Sequence, residues 1–170
     1  MLCVIAKLDE EATQRLISLQ KVAVPDPALR RALHGHITLA AYTGDDEVRF
    51  IQDCKELLAE HSSFTVMYEK TEILEETSIL VAVPAKNSLL ETIHQNITER
   101  YSNALDEWTR TEKWLPHTTL FFSTGPELYE AYCRTAGQYV SFQACVCSIE
   151  FSRVLATGYE IIDRLNLCDP

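Results

Sequence analysis

HGHITLAAYTG, residues 34–44, and HTTLFFSTG, residues 117–125, are the stretches that decide how this chain is read. Aligned on His36 and His117, both run His-x-Thr-Leu-x-x-x-Thr-Gly. Those two histidines lie 81 residues apart in a chain of 170. Each phrase alternates enough to predict a strand, over 34–42 and 117–123, turned by Thr-Gly. On a strand, residues two apart share a face. His36 therefore pairs with Thr38, and His117 with Thr119, while Leu39 and Leu120 point to the opposite, core-facing side. The same alternation carries Tyr42 and Phe121 onto the histidine face, as walls of a pocket or as cover for the sheet.

The flanking segments repeat as well. LCVIAKL (2–8) predicts a buried strand, and Asp9-Glu10-Glu11 opens a helix whose acidic start suits the N-terminal dipole. Residues 22–33 hold two prolines and read as loop with room for a helical turn. A second acidic start at 45–47 opens a helix over 45–61, with Val48, Ile51, Cys54, Leu57 and Leu58 on one side. Strands are predicted over 64–74 and 78–84. The second half then replays the first: strand 78–84, helix 86–102, polar loop 103–116, strand 117–123 and a helix over 126–138 with Pro126 in its first turn. Two strands follow, 140–155 and 159–167, turned at Gly158. The expectation is an α+β fold of duplicated β-α-β units, bilobal, with two antiparallel-rich sheets around a central cleft. The whole chain, 1–170, reads as one domain, because no linker, low-complexity tract or like-charge block divides it.

Bulk properties narrow the function classes. Hydrophobic residues make up 46% and charged residues 24%, the balance of a globular domain. A net charge of −10 argues against gripping long duplex nucleic acid through its phosphates. Charge is unevenly spread, however. Residues 20–35 and 100–116, which lead into the two motifs, carry a net +2 against −12 for the remainder. The N-terminus lacks the pattern of a signal peptide, and no stretch is long enough to span a membrane, so a cytoplasmic protein, a monomer without membrane attachment, is expected. Six cysteines (Cys3, Cys54, Cys133, Cys145, Cys147, Cys168) have no zinc-site spacing and are expected as free, buried thiols, with Cys145 and Cys147 on one face. Glycine-rich phosphate loops are absent from the sequence.

Two histidines facing each other across a cleft form a candidate acid–base pair, since an imidazole titrates near neutral pH. Displacement at phosphorus needs a base at the entering oxygen and an acid at the leaving one. Donors must also meet the charge on the other oxygens, a task the threonine hydroxyls can perform. Two His-x-Thr strands supply all four groups without a metal or cofactor.

His36-Ile37-Thr38-Leu39 and His117-Thr118-Thr119-Leu120 resemble the paired motifs of the 2H phosphoesterase superfamily, which includes 2′-5′ RNA ligase-like proteins and cyclic nucleotide phosphodiesterases. The resemblance extends over essentially the whole chain. It implies hydrolysis of a 2′,3′-cyclic phosphate, or cleavage and joining of a 2′-5′ linkage, on a small nucleotide or RNA end. Carried over by position, His36 and His117 are the acid–base pair and Thr38 and Thr119 hold the phosphate; either histidine could begin as the base. Alternatives are a 2H-fold protein that binds a nucleotide or RNA end without turnover, a metal-dependent hydrolase using His34, His36 and His117, and a structural interaction domain.

Further candidates border the motifs. His34 shares the face of His36 and is expected at the cleft rim. Trp114, three residues before His117, is expected either to stack on a base or to plug the core, and Trp108 to plug the core. Arg153 and Tyr159 are further candidate contacts. His61 and His94 sit in helical surroundings and read as structural or exposed.

Overall fold

The computed structural model describes residues 1–155 and 158–167. Its elements run β1 (Leu2–Leu8), α1 (Glu10–Ala23), β2 (His36–Tyr42), α2 (Glu47–Leu58), β3 (Phe64–Leu74), β4 (Ile79–Pro84), α3 (Ser88–Tyr101), β5 (Thr118–Phe122), α4 (Glu127–Ala136), β6 (Phe142–Leu155) and β7 (Gly158–Asn166). The helical turn expected between α1 and β2 is present at Pro27–Leu29. Part of the turn expected between β6 and β7 lies outside the described residues, as does Cys168.

All strands join one antiparallel sheet in the order β2-β1-β6-β3-β4-β5, with β7 also paired to β6. The two expected sheets are thus two arms of one continuous sheet. The 14-residue β6 belongs to both arms: Phe142–Val146 pair with β3, and Val146–Arg153 pair with β1. The order is its own mirror when β1 exchanges with β4, β2 with β5, and β6 with β3. A pseudo-two-fold axis therefore passes between β3 and β6.

Helix caps follow the same symmetry. Asp9 caps α1 by accepting from Ala12 N at 2.8 Å, and its carboxylate also accepts from Cys145 N on β6. Asn87 caps α3 by accepting from Leu90 N at 3.0 Å, and its amide donates to Thr65 O on β3 at 2.9 Å. Thr65 and Cys145 are partners across the axis. Capping thus fixes each helix start and ties it to the shared centre of the sheet.

Each half sends its first helix across to the other arm. α1 packs on α4 and β5, while α3 packs on β2 and α2. The apolar sides of these helices and strands enclose one extensive core that includes Leu16, Ile37, Phe50, Tyr68, Ile93 and Phe151, all fully or nearly fully buried. On α2 the buried positions are Phe50, Asp53, Cys54 and Leu58, whereas Val48 is 79% exposed, contrary to its expected place on the core side. Asp53 is tolerated there because Tyr101 Oη and Arg100 both donate to its carboxylate. Expected burial of the thiols holds for Cys3 and Cys54; Cys133 and Cys147 are exposed and Cys145 is intermediate. Cys145 and Cys147 do alternate with the buried Ala144, Val146 and Ser148, which places them on one outward face.

Candidate active site

β2 and β5 end the sheet order, yet the sheet curls until these two edge strands meet. Three hydrogen bonds from side chains to backbone hold them. Thr118 Oγ1 donates to His36 O at 2.7 Å, Trp114 Nε1 donates to Thr38 O at 2.8 Å, and Gln20 Nε2 donates to Leu120 O at 3.0 Å. Thr118 is itself buried and shares a 2.6 Å hydrogen bond with Tyr68 Oη. The middle residue of the second His-x-Thr thus fixes the backbone of the first histidine. Sequence reading assigned Thr118 no role; a polar residue in a core-facing register was the available signal.

The two histidines are set in the same way. His36 Nδ1 lies 2.5 Å from His34 O, and His117 Nδ1 lies 2.7 Å from Leu115 O. A carbonyl only accepts, so each Nδ1 carries its proton and donates, leaving Nε2 as the nitrogen for proton transfer. Gly35 serves this geometry on the first strand, because a Cβ there would lie 2.2 Å from Thr13 Oγ1 and 3.1 Å from Thr13 Cα. The chain between His34 and His36 passes too close to α1 for any side chain.

Burial pushes the His36 pKa down to about 4, helped by the neighbouring charges of His34, Lys7 and His117 and opposed by the bond to His34 O. His117 is also lowered, again by burial and against its bond to Leu115 O. Both are therefore neutral at pH 7. Lys7 is the β1 partner of His36, and its ammonium donates to Gly35 O and Thr13 Oγ1, each at 3.3 Å.

His34 turns its ring to the rim of the cleft, 4.7 Å between centroids from Tyr159 and 5.6 Å from His36. Its Nε2 lies 2.8 Å from the carboxylate of Glu150, which is fully buried and also accepts from Arg164. Glu150 lies 116 residues from His34 and was not singled out from sequence. A lone acidic residue inside the apolar run of β6 was its only trace. Among the described residues, no three His, Cys, Asp or Glu side chains are grouped to hold a metal.

Both motif strands carry a bulge at the leucine. Pairing skips Leu39, since Ile5 opposes Thr38 and Val4 opposes Ala40, and it skips Leu120, since Val81 opposes Thr119 and Leu80 opposes Phe121. A bulge inserts one residue and reverses the alternation beyond it. Tyr42 therefore turns into the core, 6% exposed and stacked on Phe50 at 4.2 Å, and is not a cleft residue. Phe121 packs against the core and also lines the cavity beside His36, while Phe122 turns outward at 49% exposure.

Of its two expected roles Trp114 takes the plug, whereas Trp108 departs from the plug expected of it. Trp114 is the plug: its ring stacks on His94 at 3.8 Å, and His94 is buried with Nε2 3.0 Å from Thr109 O. Trp108 is 38% exposed and lines the cavity beside His117. Arg153 pairs with Glu47. Two wells adjoin the histidines, each touching one of them. One, of about 230 Å³, is lined by Arg31, His34, His36, Thr119, Phe122 and Tyr159 among others. The other, of about 270 Å³, is lined by Glu75, Glu76, Trp108, Lys113, Leu115 and His117 among others.

Residues 8–153 match the model of the 2′-5′ RNA ligase superfamily. The chain has no match among curated protein sequences. Among solved structures it is similar to TT0787 of Thermus thermophilus, at 16% identity and a TM-score of 0.70, covering 99% of this chain and 98% of that one. It is also similar to E. coli LigT complexed with ATP, at 14% identity and a TM-score of 0.64, covering 99% and 98%. LigT complexed with 3′-AMP aligns at 18% identity and a TM-score of 0.63, covering 98% and 97%. At these identities the structures speak for the fold, and the family match spans most of the chain and both motifs: this chain belongs to the 2′-5′ RNA ligase superfamily, with the LigT-like fold of the 2H phosphoesterases.

Proposed function

We propose that the chain is a metal-independent phosphodiesterase that hydrolyses a 2′,3′-cyclic phosphate, or a 2′-5′ phosphodiester, on a small nucleotide or RNA end. The observation that carries this reading is the matched pair of histidines at the starts of adjoining edge strands, His36 opening β2 and His117 directly preceding β5, each with Nδ1 held by the carbonyl two residues before it. In the reaction, one Nε2 takes a proton from water as the new P–O bond forms. The other, protonated, gives its proton to the sugar oxygen as the old P–O bond breaks. Thr38 and Thr119 follow their histidines by two residues and would donate to the non-bridging oxygens. An incoming phosphate raises the proton affinity of both imidazoles, which lets one of them become the acid on binding.

Structures of LigT with ATP and with 3′-AMP support a small nucleotide as ligand. The acidic chain, at −10, supports the same choice over structured RNA. The test is incubation with 2′,3′-cyclic nucleotides and 2′-5′ dinucleotides, with and without EDTA. Phosphomonoester products are expected in both conditions. Absence of turnover on every member of the panel, or its loss on chelation, would remove this reading.

A further inference from the structure

The two wells flanking the histidines differ in charge. Beside His36, the lining residues include Arg31 and His34 and no carboxylate. Beside His117, they include Glu75 and Glu76, with Ile73, Leu74, Ile79 and Leu115 forming an apolar floor. The cation there, Lys113, is engaged: its ammonium bonds Glu107 at 2.8 Å and stands 4.5 Å over the Trp108 ring. These charges favour a phosphate on the His36 side of the histidine pair and oppose its moving deeper into the second well, toward Glu75 and Glu76.

We infer that the well beside His117 is a nucleobase subsite, selective for bases that carry an exocyclic amino group. This rests on the phosphodiesterase reading above for the identity of the ligand, and it extends that reading to which base is taken and on which side. Trp108 offers an indole for stacking, with Lys113 fixing it from one side. Glu75 and Glu76 only accept hydrogen bonds when ionised, so they match an amino group and oppose a carbonyl at the same ring position. Cytosine and uracil differ in this way at C4, whereas adenine and guanine carry amino groups of their own. The cavity of about 270 Å³ is large enough for one base and too small for a dinucleotide. Both carboxylates stand on the short turn between β3 and β4, where Ser78 takes a left-handed conformation at φ 54°. That turn presents the well with two adjacent acidic residues.

Calorimetric titration with 2′-CMP and 2′-UMP tests the subsite without requiring turnover. The unmodified protein should bind 2′-CMP about tenfold more tightly, the scale of a hydrogen bond to a charged group. Trp108→Ala should weaken both ligands about tenfold or more, and Trp108→Phe should restore much of that loss. A Glu75→Gln/Glu76→Gln double variant should abolish the preference between the two. Circular dichroism of each variant establishes that it is folded. Equal affinity for the two ligands, insensitivity to Trp108→Ala, or no binding of either ligand overturns the subsite. Turnover assays on cyclic CMP and cyclic UMP separate the two readings. Binding with the stated pattern but without turnover leaves the subsite standing and removes the phosphodiesterase reading. Turnover without that pattern does the reverse.

Discussion

His36, which opens β2, and His117, which directly precedes β5, head phrases alike in sequence, in the bulge at the leucine, and in the carbonyl that fixes Nδ1. Their surroundings are not alike. The residue supplying the carbonyl is His34 in one case, anchored by the buried Glu150, and in the other Leu115, which is 39% exposed. Lys7 lies opposite His36 and adds its charge to the effect of burial there, while at His117 burial alone lowers the proton affinity. The two phrases share the carbonyl bond that sets each ring, while the charge around the rings differs. Under the proposed function, that inequality is what would let one histidine serve as acid and the other as base.

The strongest way to break the comparison is to remove either imidazole. His36→Ala and His117→Ala should each lower turnover of a cyclic nucleotide about 10² to 10⁴-fold, and the double variant should fall little further than either single one. A single variant with full activity would show that the two sites do not work as a pair.

The next test removes what the two motifs do not share. Glu150→Gln takes away the charge that holds His34 and Arg164 and should cost about 1–3 kcal/mol in a urea titration, with reduced kcat. Thr118→Val, which breaks the bond joining the two strands, should cost a similar amount, about 1–3 kcal/mol, because His36 O is left without that donor. Activity loss in Thr118→Val that exceeds its stability loss would identify the bridge as a positioning device for both histidines.

Acidity probes the pair without mutation. Both pKa values lie below the ordinary 6.5, so the bell-shaped profile of kcat/KM should be displaced to the acid side of that value. Stability should follow a related course. The unfolded chain takes up protons at these histidines before the folded one does. Their contribution is therefore complete above about pH 6.5 and is lost as pH falls toward about 4, the His36 value. His94, lowered in the same direction by burial, adds to the loss. A urea midpoint unchanged between pH 7.5 and pH 5 would refute this.

Smallest of all should be Ser78→Gly. Ser78 holds a left-handed backbone at φ 54°, which glycine adopts without steric cost, so stability should change by about 1 kcal/mol or less. A larger loss would mean that the Ser78 side chain, and not backbone geometry, shapes that turn.

Much of this arrangement was legible in the sequence, because it is local. Strand and helix order follows hydrophobic period and capping residues, and the paired His-x-Thr phrases bring out His36, Thr38, His117 and Thr119. What escaped depends on the partner strand or on distant residues. A bulge at Leu39 or Leu120 exists only in relation to β1 or β4, and alternation alone therefore sent Tyr42 to the wrong face. Glu150 meets His34 across 116 residues, and Trp114 became the plug because His94 on α3 supplies a flat surface to stack on. The crossing of α1 and α3 to opposite arms leaves no trace in either helix's own pattern.

β6 has a consequence for how the molecule is made. It is the inner neighbour of β1 in one arm and of β3 in the other, yet it comes after both, with only β7 following it among the described residues. Leu2 can meet Tyr42 on β2 early, but must wait for Arg153 to find its partner on the inner side. Neither half of the repeat can therefore complete its own sheet, although each contains a whole motif. Contacts of such long sequence separation slow folding, so during synthesis both histidine strands are present well before the fold that aims them can close.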